Sequence, residues 1–269
     1  PINYLPAIAK NYTYRLLTLY PYATQNNGEI GIQGDVFYTF EKGSLLGGKY
    51  GTMITLNYSK VHGLDTTHID EFTYNSEFLK FGKRKYFEDM GIEISKTWSK
   101  ELKTNIGFMR QYFNKDVVQT PGYGLIKANI IVAEIAYTFA PKQTFRMELQ
   151  HMSAKHLEID DQGNESDALP NLDGNNGNWM YALLEYTIAP SWFFSVFNEW
   201  NYGNYYDGTK GGKPDLRIHY PSGNVIWVHD ALRVQLGYGR IRGGVLCVGG
   251  VCRTVPASNG FSLSISSTF

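Results

Sequence analysis

Cysteine is almost missing from this 269-residue chain, so neither a disulfide framework nor a cysteine-built metal cluster can organise the fold. Net charge is missing too. The 25 Lys and Arg cancel the 25 Asp and Glu, which argues against nucleic acid as a partner. No apolar run is long enough for a helical membrane span: Asn129–Tyr137 is among the longest and contains Glu134. The six histidines (His62, His68, His151, His156, His219, His229) lack metal-ligand spacing. No metal and no cofactor is therefore expected. A hydrolase would have to draw on residues such as His151, Ser153 and Asn178, which no spacing selects. The expectation is a protein that is not an enzyme. Neither an initiator Met nor a signal peptide precedes Pro1, so a mature protein or a portion of a longer one is expected.

Aromatics and two-residue periodicity are what the chain has. It carries 20 Tyr, 15 Phe and 5 Trp, a composition that suits either an aromatic-girdled barrel or a carbohydrate-binding sandwich. In the last ten residues Phe261, Leu263, Ile265 and Phe269 share one strand face, and Ser262, Ser264, Ser266 and Thr268 share the other. A strand that ends on an aromatic terminus is common in outer-membrane barrels. The same alternation runs through Met90–Phe108, Ile131–Leu149, Met180–Trp200 and Leu232–Tyr238. Only Phe193, Phe194, Val196 and Phe197 look apolar on both faces.

Loop lengths sort as strictly as the faces do. Tight turns at Ser99–Glu101, Ala140–Gln143, Ala189–Ser191 and His229–Ala231 alternate with long polar loops. Those loops are placed near Val61–Phe81, Asn114–Gly124, Leu157–Gly177, Asn204–Lys213 and Arg242–Asn259. Short turns on one rim and long loops on the other describe an outer-membrane barrel. The fold class expected is thus all-β: an antiparallel transmembrane outer-membrane β-barrel of about 11–12 strands, possibly part of a larger one. Residues 29–269 form it, after an irregular aromatic leading segment, 1–28, with room for one strand.

Residues on the polar side of the alternation are the lumen-facing candidates: Glu93, Lys103, Asn105, Arg146, Glu148, Glu185, Arg233 and Gln235. Their mixed signs fit either a network of ion pairs bracing the interior or a mixed-charge constriction. Lys96 and Arg110 fall on the lipid side, where snorkelling near an interface tolerates them. Gly249-Gly250 is a hairpin signal that places Cys247 opposite Cys252, close enough for a disulfide in an oxidising compartment, with free thiols the alternative. The acidic loop Leu157–Gly177 lacks the closing Glu of a calcium hand and reads as a solvated loop.

The stretch Gly237-Tyr238-Gly239-Arg240, the run Cys247–Pro256 with both cysteines, Lys42–Gly51 and Gly177-Asn178-Trp179 resemble a family of uncharacterised Bacteroidota outer-membrane β-barrels. The resemblance covers most of the chain. It implies a bacterial outer-membrane location and further strands ahead of Pro1, and it brings no catalytic residues. Outer-membrane lipid or lipopolysaccharide, other envelope proteins, and the barrel-assembly machinery engaging Phe261, Leu263, Ile265 and Phe269 are the partners expected. The function expected is a polar-lumen pore for small solutes. A structural subunit docked in a larger envelope assembly is the alternative, and a barrel hydrolase the weakest.

Overall fold

A computed structural model describes residues 6–26, 28–70, 73–118, 124–159, 165–167, 177–203, 217–248 and 251–267 of the chain; of 68, 78, 159, 165, 167, 245–248 and 251–254 only the backbone is described. The fold is all-β. Its strands are β1 (Glu29–Phe40), β2 (Thr52–His68), β3 (Tyr74–Thr97), β4 (Leu102–Asn114), β5 (Leu125–Ala140), β6 (Gln143–Ile159), β7 (Glu165–Asp167), β8 (Trp179–Ile188), β9 (Trp192–Asn201), β10 (His219–His229), β11 (Leu232–Ile241), β12 (Gly244–Val248), β13 (Val251–Val255) and β14 (Ser258–Ser267). Twelve of them make one antiparallel sheet in the order β1-β2-β3-β4-β5-β6-β8-β9-β10-β11-β14, with β7 on the side of β6; β12 and β13 form a separate hairpin. The helical pieces are a 3₁₀ turn, Leu16–Thr18, and one α turn, α1 (Lys115–Val118). No described helix is long and apolar enough to cross a membrane.

Each short reversal is built from local chemistry. At Ser99–Glu101 the Ser99 hydroxyl accepts the backbone N–H groups of Glu101 (3.1 Å) and Leu102 (3.0 Å), closing the β3–β4 hairpin. The expected loop at Val61–Phe81 is corrected. β2 and β3 continue as a paired ribbon to His68↔Tyr74, with register shifts between Val61 and Thr66. β3 is 24 residues long, where about 9–11 cross a bilayer. The ribbon mixes Leu64, Leu79 and Phe81 with polar residues, so the alternation that marks the other strands is lost there although the backbone ladder persists. Bulges absorb its twist. The leading segment, for which one strand was allowed, carries none among its described residues.

Register sorts most apolar side chains to one face along the sheet's middle. One row reads Leu56–Ile92–Phe108–Ile131–His151–Met180–Trp200–His219 across eight strands. Another reads Ile54–Ile94–Ile106–Ala133–Leu149–Ala182. These apolar side chains are the exposed ones: Ile106 is 58%, Val196 63% and Leu263 66% accessible. The opposite face buries Asn57, Ser59, Asp89, Gln111, Glu148, Gln150, Glu199, Asn224 and Gln235. A protein folding in water does the reverse, because apolar burial is what drives its collapse. Over its middle rows this sheet turns its apolar band outward, and its inward face buries these polar groups alongside Met109, Ile130, Val132, Met152 and Phe197. The pairing also resolves the doubly apolar stretch: Phe194 and Val196 lie on the outward face, whereas Phe197 is buried inward.

The sheet curls. Tyr12 Oη donates to Asp89 of β3 (3.0 Å) and to Asn57 of β2 (3.1 Å), while Arg15 Nε donates to Glu199 of β9 (2.9 Å). β2 and β9 are six pairings apart, yet both reach this segment, whose Leu16 and Leu17 are at most 2% accessible. The sheet therefore wraps around the leading segment. It does not close: β1 and β14 are not paired with each other among the described residues. The all-β antiparallel architecture stands; the β1–β14 ladder that would close it into a barrel is not observed among the described residues.

One glycine tests the ribbon. A Cβ on Gly82 would sit 2.5 Å from the backbone oxygens of both Gly63 and Leu64, which no side-chain adjustment relieves. Gly82→Ala is expected to cost about 1–3 kcal/mol by forced backbone shifts, measured by denaturant unfolding. Gly34→Ala, which meets nothing within 4 Å, should stay within about 0.5 kcal/mol of the parent.

Candidate functional site

The inward polar face and residues 6–26 together form the candidate site. A β-strand exposes every second side chain to one side, so the polar half of each alternating strand faces the same interior once the sheet curls. All eight lumen-facing candidates sit on this face. Register carries it from Glu93 and Asn105 through Glu148, Glu185 and Gln235. What the sequence leaves invisible is the segment that answers them.

That segment crosses the interior on named contacts. Lys10 Nζ lies 2.8 Å from Glu93, and Tyr14 Oη meets the Asn105 amide. The Leu16 N–H donates to Gln150 Oε1 (2.8 Å), and Gln111 Nε2 donates to the Leu17 carbonyl (3.4 Å). Leu16, Leu17, Leu19 and Tyr20 are at most 4% accessible. They pack with Phe87, Met109, Phe113, Ile130 and Trp179, and Tyr20 and Phe113 rings lie 5.6 Å apart. Tyr22 stacks on Phe87 at 5.0 Å and donates to Glu29 (2.5 Å). Burial first, then the Asp89 carboxylate, raises the Tyr12 phenol above its ordinary value, so it remains a protonated donor at neutral pH.

At the centre of these contacts is a charge group the sequence reading missed. Glu199, fully buried, receives Arg15 Nε at 2.9 Å on one oxygen and Arg242 Nε at 2.7 Å on the other. Arg15 Nη2 also donates to the Arg242 carbonyl (2.7 Å). Glu199 shares its face with Phe197 and Phe193, which hides the polar alternation of β9. Nothing in the leading segment marks Arg15 as a reader of a strand 184 residues away.

The expected charged network is assembled in part. Arg146 pairs with Glu185 (2.7 Å), with Glu148, and with Glu134 (2.8 Å), which sequence reasoning did not select. Glu148 also accepts from Gln150. Gln235 donates to Asn224 at 3.2 Å. Lys103 lies on the same face at the short-turn rim and is exposed, while Arg233 is half-buried. Of the residues a hydrolase would need, His151 bonds Tyr202 (2.7 Å) and Asn178 accepts the Ala154 N–H (2.9 Å); Ser153 is on the outward face, and no hydrogen bond joins the three.

Cys247 and Cys252 are opposed in the β12–β13 ladder, as the turn signal implies. Their side chains lie outside the described residues, and no disulfide is observed. Gly249-Gly250, Phe269 and most of the acidic loop also lie outside them. Phe261, Leu263 and Ile265 project from the outward face of β14, more than 60% exposed.

The geometry defines an antiparallel sheet with an outward apolar band, wrapped around its own leading segment. The chain belongs to a family of unknown function (DUF6029), whose model matches residues 1–269. No curated protein and no solved structure matches it.

Removing the shared carboxylate leaves two arginines facing each other out of water. Glu199→Gln is expected to cost about 3–5 kcal/mol and to open the Arg15 peptide bond to trypsin in otherwise native protein. Lys10→Gln, at the partly open Glu93 pair, should cost no more than about 1 kcal/mol. Equal effects of the two substitutions would contradict the account.

Proposed function

We propose that the chain is a membrane-spanning β-sheet protein of the bacterial outer membrane whose interior is closed by its own leading segment. On this reading it is a structural or docking subunit of a larger envelope assembly rather than an open pore. A single observation carries the choice: residues 10–17 are bonded to β2, β3, β4, β6 and β9 across the inward face.

Two features support a membrane setting. Apolar side chains point outward over the middle rows of the sheet, and the buried polar groups, Asn57, Asp89, Gln111, Glu148 and Glu199 among them, point inward, an arrangement that lipid favours. Aromatics gather at the short-turn rim, where Phe139, Tyr186, Phe194 and Trp192 form a run of stacked rings with centroids about 6 Å apart, and again at the other rim with Trp200, Tyr202 and His219. Such girdles mark the two interfaces of a bilayer. Lipid tolerates no open sheet edge, so in the membrane the free sides of β1 and β14 are paired, with each other or with further strands. Phe261, Leu263 and Ile265 form the outward ridge that the assembly machinery would engage. We read the family of unknown function as the Bacteroidota barrel family that the cysteine motif resembles.

The pore expected from the sequence needs a passage along the same inward face. Arg15, Leu16 and Tyr20 stand in it. In planar bilayers the folded protein is expected to give no steady openings, and a variant lacking residues 6–26 to conduct. Large, steady openings from the unaltered protein would restore the pore and end the scaffold reading.

A further inference from the structure

The outward face changes character abruptly at the end that carries the long loops. Two rows above the apolar row Leu56–Ile92–Phe108–Ile131, the register reads Lys60–Glu88–Tyr112–Lys127–Lys155 across β2 to β6. The row between them is Tyr58–Met90–Arg110–Asn129–Ser153. A fifth cation joins from an unexpected position. Register skips between Val61↔Phe87 and His62↔Lys85, and Lys85 bonds outward-facing Glu88 at 2.5 Å, its ammonium 3.9 Å from the Tyr112 ring centroid. A bulge is a means of re-aiming one side chain. Among the described residues, Lys60, Lys85, Arg110, Lys127 and Lys155 thus share this outward region with Glu88, in a chain with no net charge. Lys85, Glu88, Arg110, Tyr112 and Lys127 line a depression of about 230 Å³, floored by Met90 at the edge of the apolar band.

We infer that this patch binds the phosphate groups of a phosphorylated glycolipid, the outer-leaflet lipid whose acyl chains would lie on the apolar rows below it. The inference rests on the outer-membrane reading above and names the ligand of its outward face. The order of the rows selects the occupant. Met90, and one row further Leu56, Ile92, Phe108 and Ile131, lie beneath the cations, so one molecule with an anionic head and hydrocarbon chains meets both at once. A soluble anion would leave the apolar rows without a partner. Lysine and arginine beside a bilayer hold anionic headgroups in this manner, and the aromatic Tyr58 and Tyr112 suit the interface.

The full-length protein, inserted in phosphatidylcholine nanodiscs doped with a diphosphoryl glycolipid, is the test, with retained lipid counted by native mass spectrometry. It should keep the glycolipid in preference to phosphatidylcholine. Each basic residue at an anionic surface contributes a factor of about five. Combining Lys60→Gln, Arg110→Gln, Lys127→Gln and Lys155→Gln should therefore weaken retention by roughly six hundred-fold. Lys155→Gln alone, at an exposed position, should lower it about five-fold, which keeps the test usable if the combined variant folds poorly. Removing four charges at the opposite rim, Lys42, Lys96, Lys100 and Lys142, should change nothing. Retention unaltered in the basic-row variants, no preference over phosphatidylcholine, or full displacement by inorganic phosphate would each overturn the inference. If the unaltered protein does not insert into phosphatidylcholine at all, the membrane reading fails first, and the two failures are told apart.

Discussion

Hydrogen-bonding groups taken out of water must find partners, and this constraint governs the interior. Curling an alternating sheet with its apolar side outward collects Asn57, Asp89, Gln111, Glu148, Gln150 and Glu199 in one enclosed space. Left dry and unpaired, each would cost several kcal/mol; filled with water, they would line a channel. The leading segment offers a third solution. The Tyr12 and Tyr22 hydroxyls, the backbone N–H of Leu16 and the Lys10 and Arg15 side chains donate to strand carboxylates and amides, while Tyr14 Oη and the Leu17 carbonyl accept from Asn105 and Gln111. The Glu199 carboxylate, with one arginine on each oxygen, is the strictest instance, because neither a lone Glu nor a lone Arg is tolerated there.

The outward face follows from the same arrangement. With polar groups committed inward, the outer wall is free to be isoleucine, leucine, valine and phenylalanine over its middle rows. Charge reappears only where the strands run beyond that band. The β2–β3 ribbon shows the boundary most plainly. Below Lys60 and Glu88 its two faces differ sharply; past the bulge at His62 the alternation is lost, and the strands continue through backbone pairing.

Much of this was legible in the residues because period two is a strong local signal. Ile92, Ile94, Ile106 and Phe108 could be assigned a face, and with them Glu93, Lys103, Asn105, Arg146, Glu148, Glu185, Arg233 and Gln235 the opposite one. The β3–β4, β5–β6, β8–β9 and β10–β11 reversals followed from short polar turns. Three things were not legible, each for a physical reason. The ribbon over residues 61–81 is stabilised by backbone pairing, which leaves no hydropathy trace. The leading segment takes its course from partners on strands up to 184 residues away, and no local pattern encodes a contact of that range. Lys85 changes face at a bulge, and a one-residue shift is invisible to a period count.

Four native methionines test the central claim, that the outward face meets lipid and the inward face meets the leading segment. Met109 and Met152 point inward and are fully buried, while Met90 and Met180 point outward, 43% and 46% accessible. With the protein in lipid nanodiscs, water-borne hydroxyl radicals should oxidise none of the four, and a lipid-soluble carbene should label around Met90 and Met180 alone. Oxidation of Met109 and Met152 would mean a water-filled interior, and oxidation of Met90 and Met180 an outward face in water; either result would contradict the account.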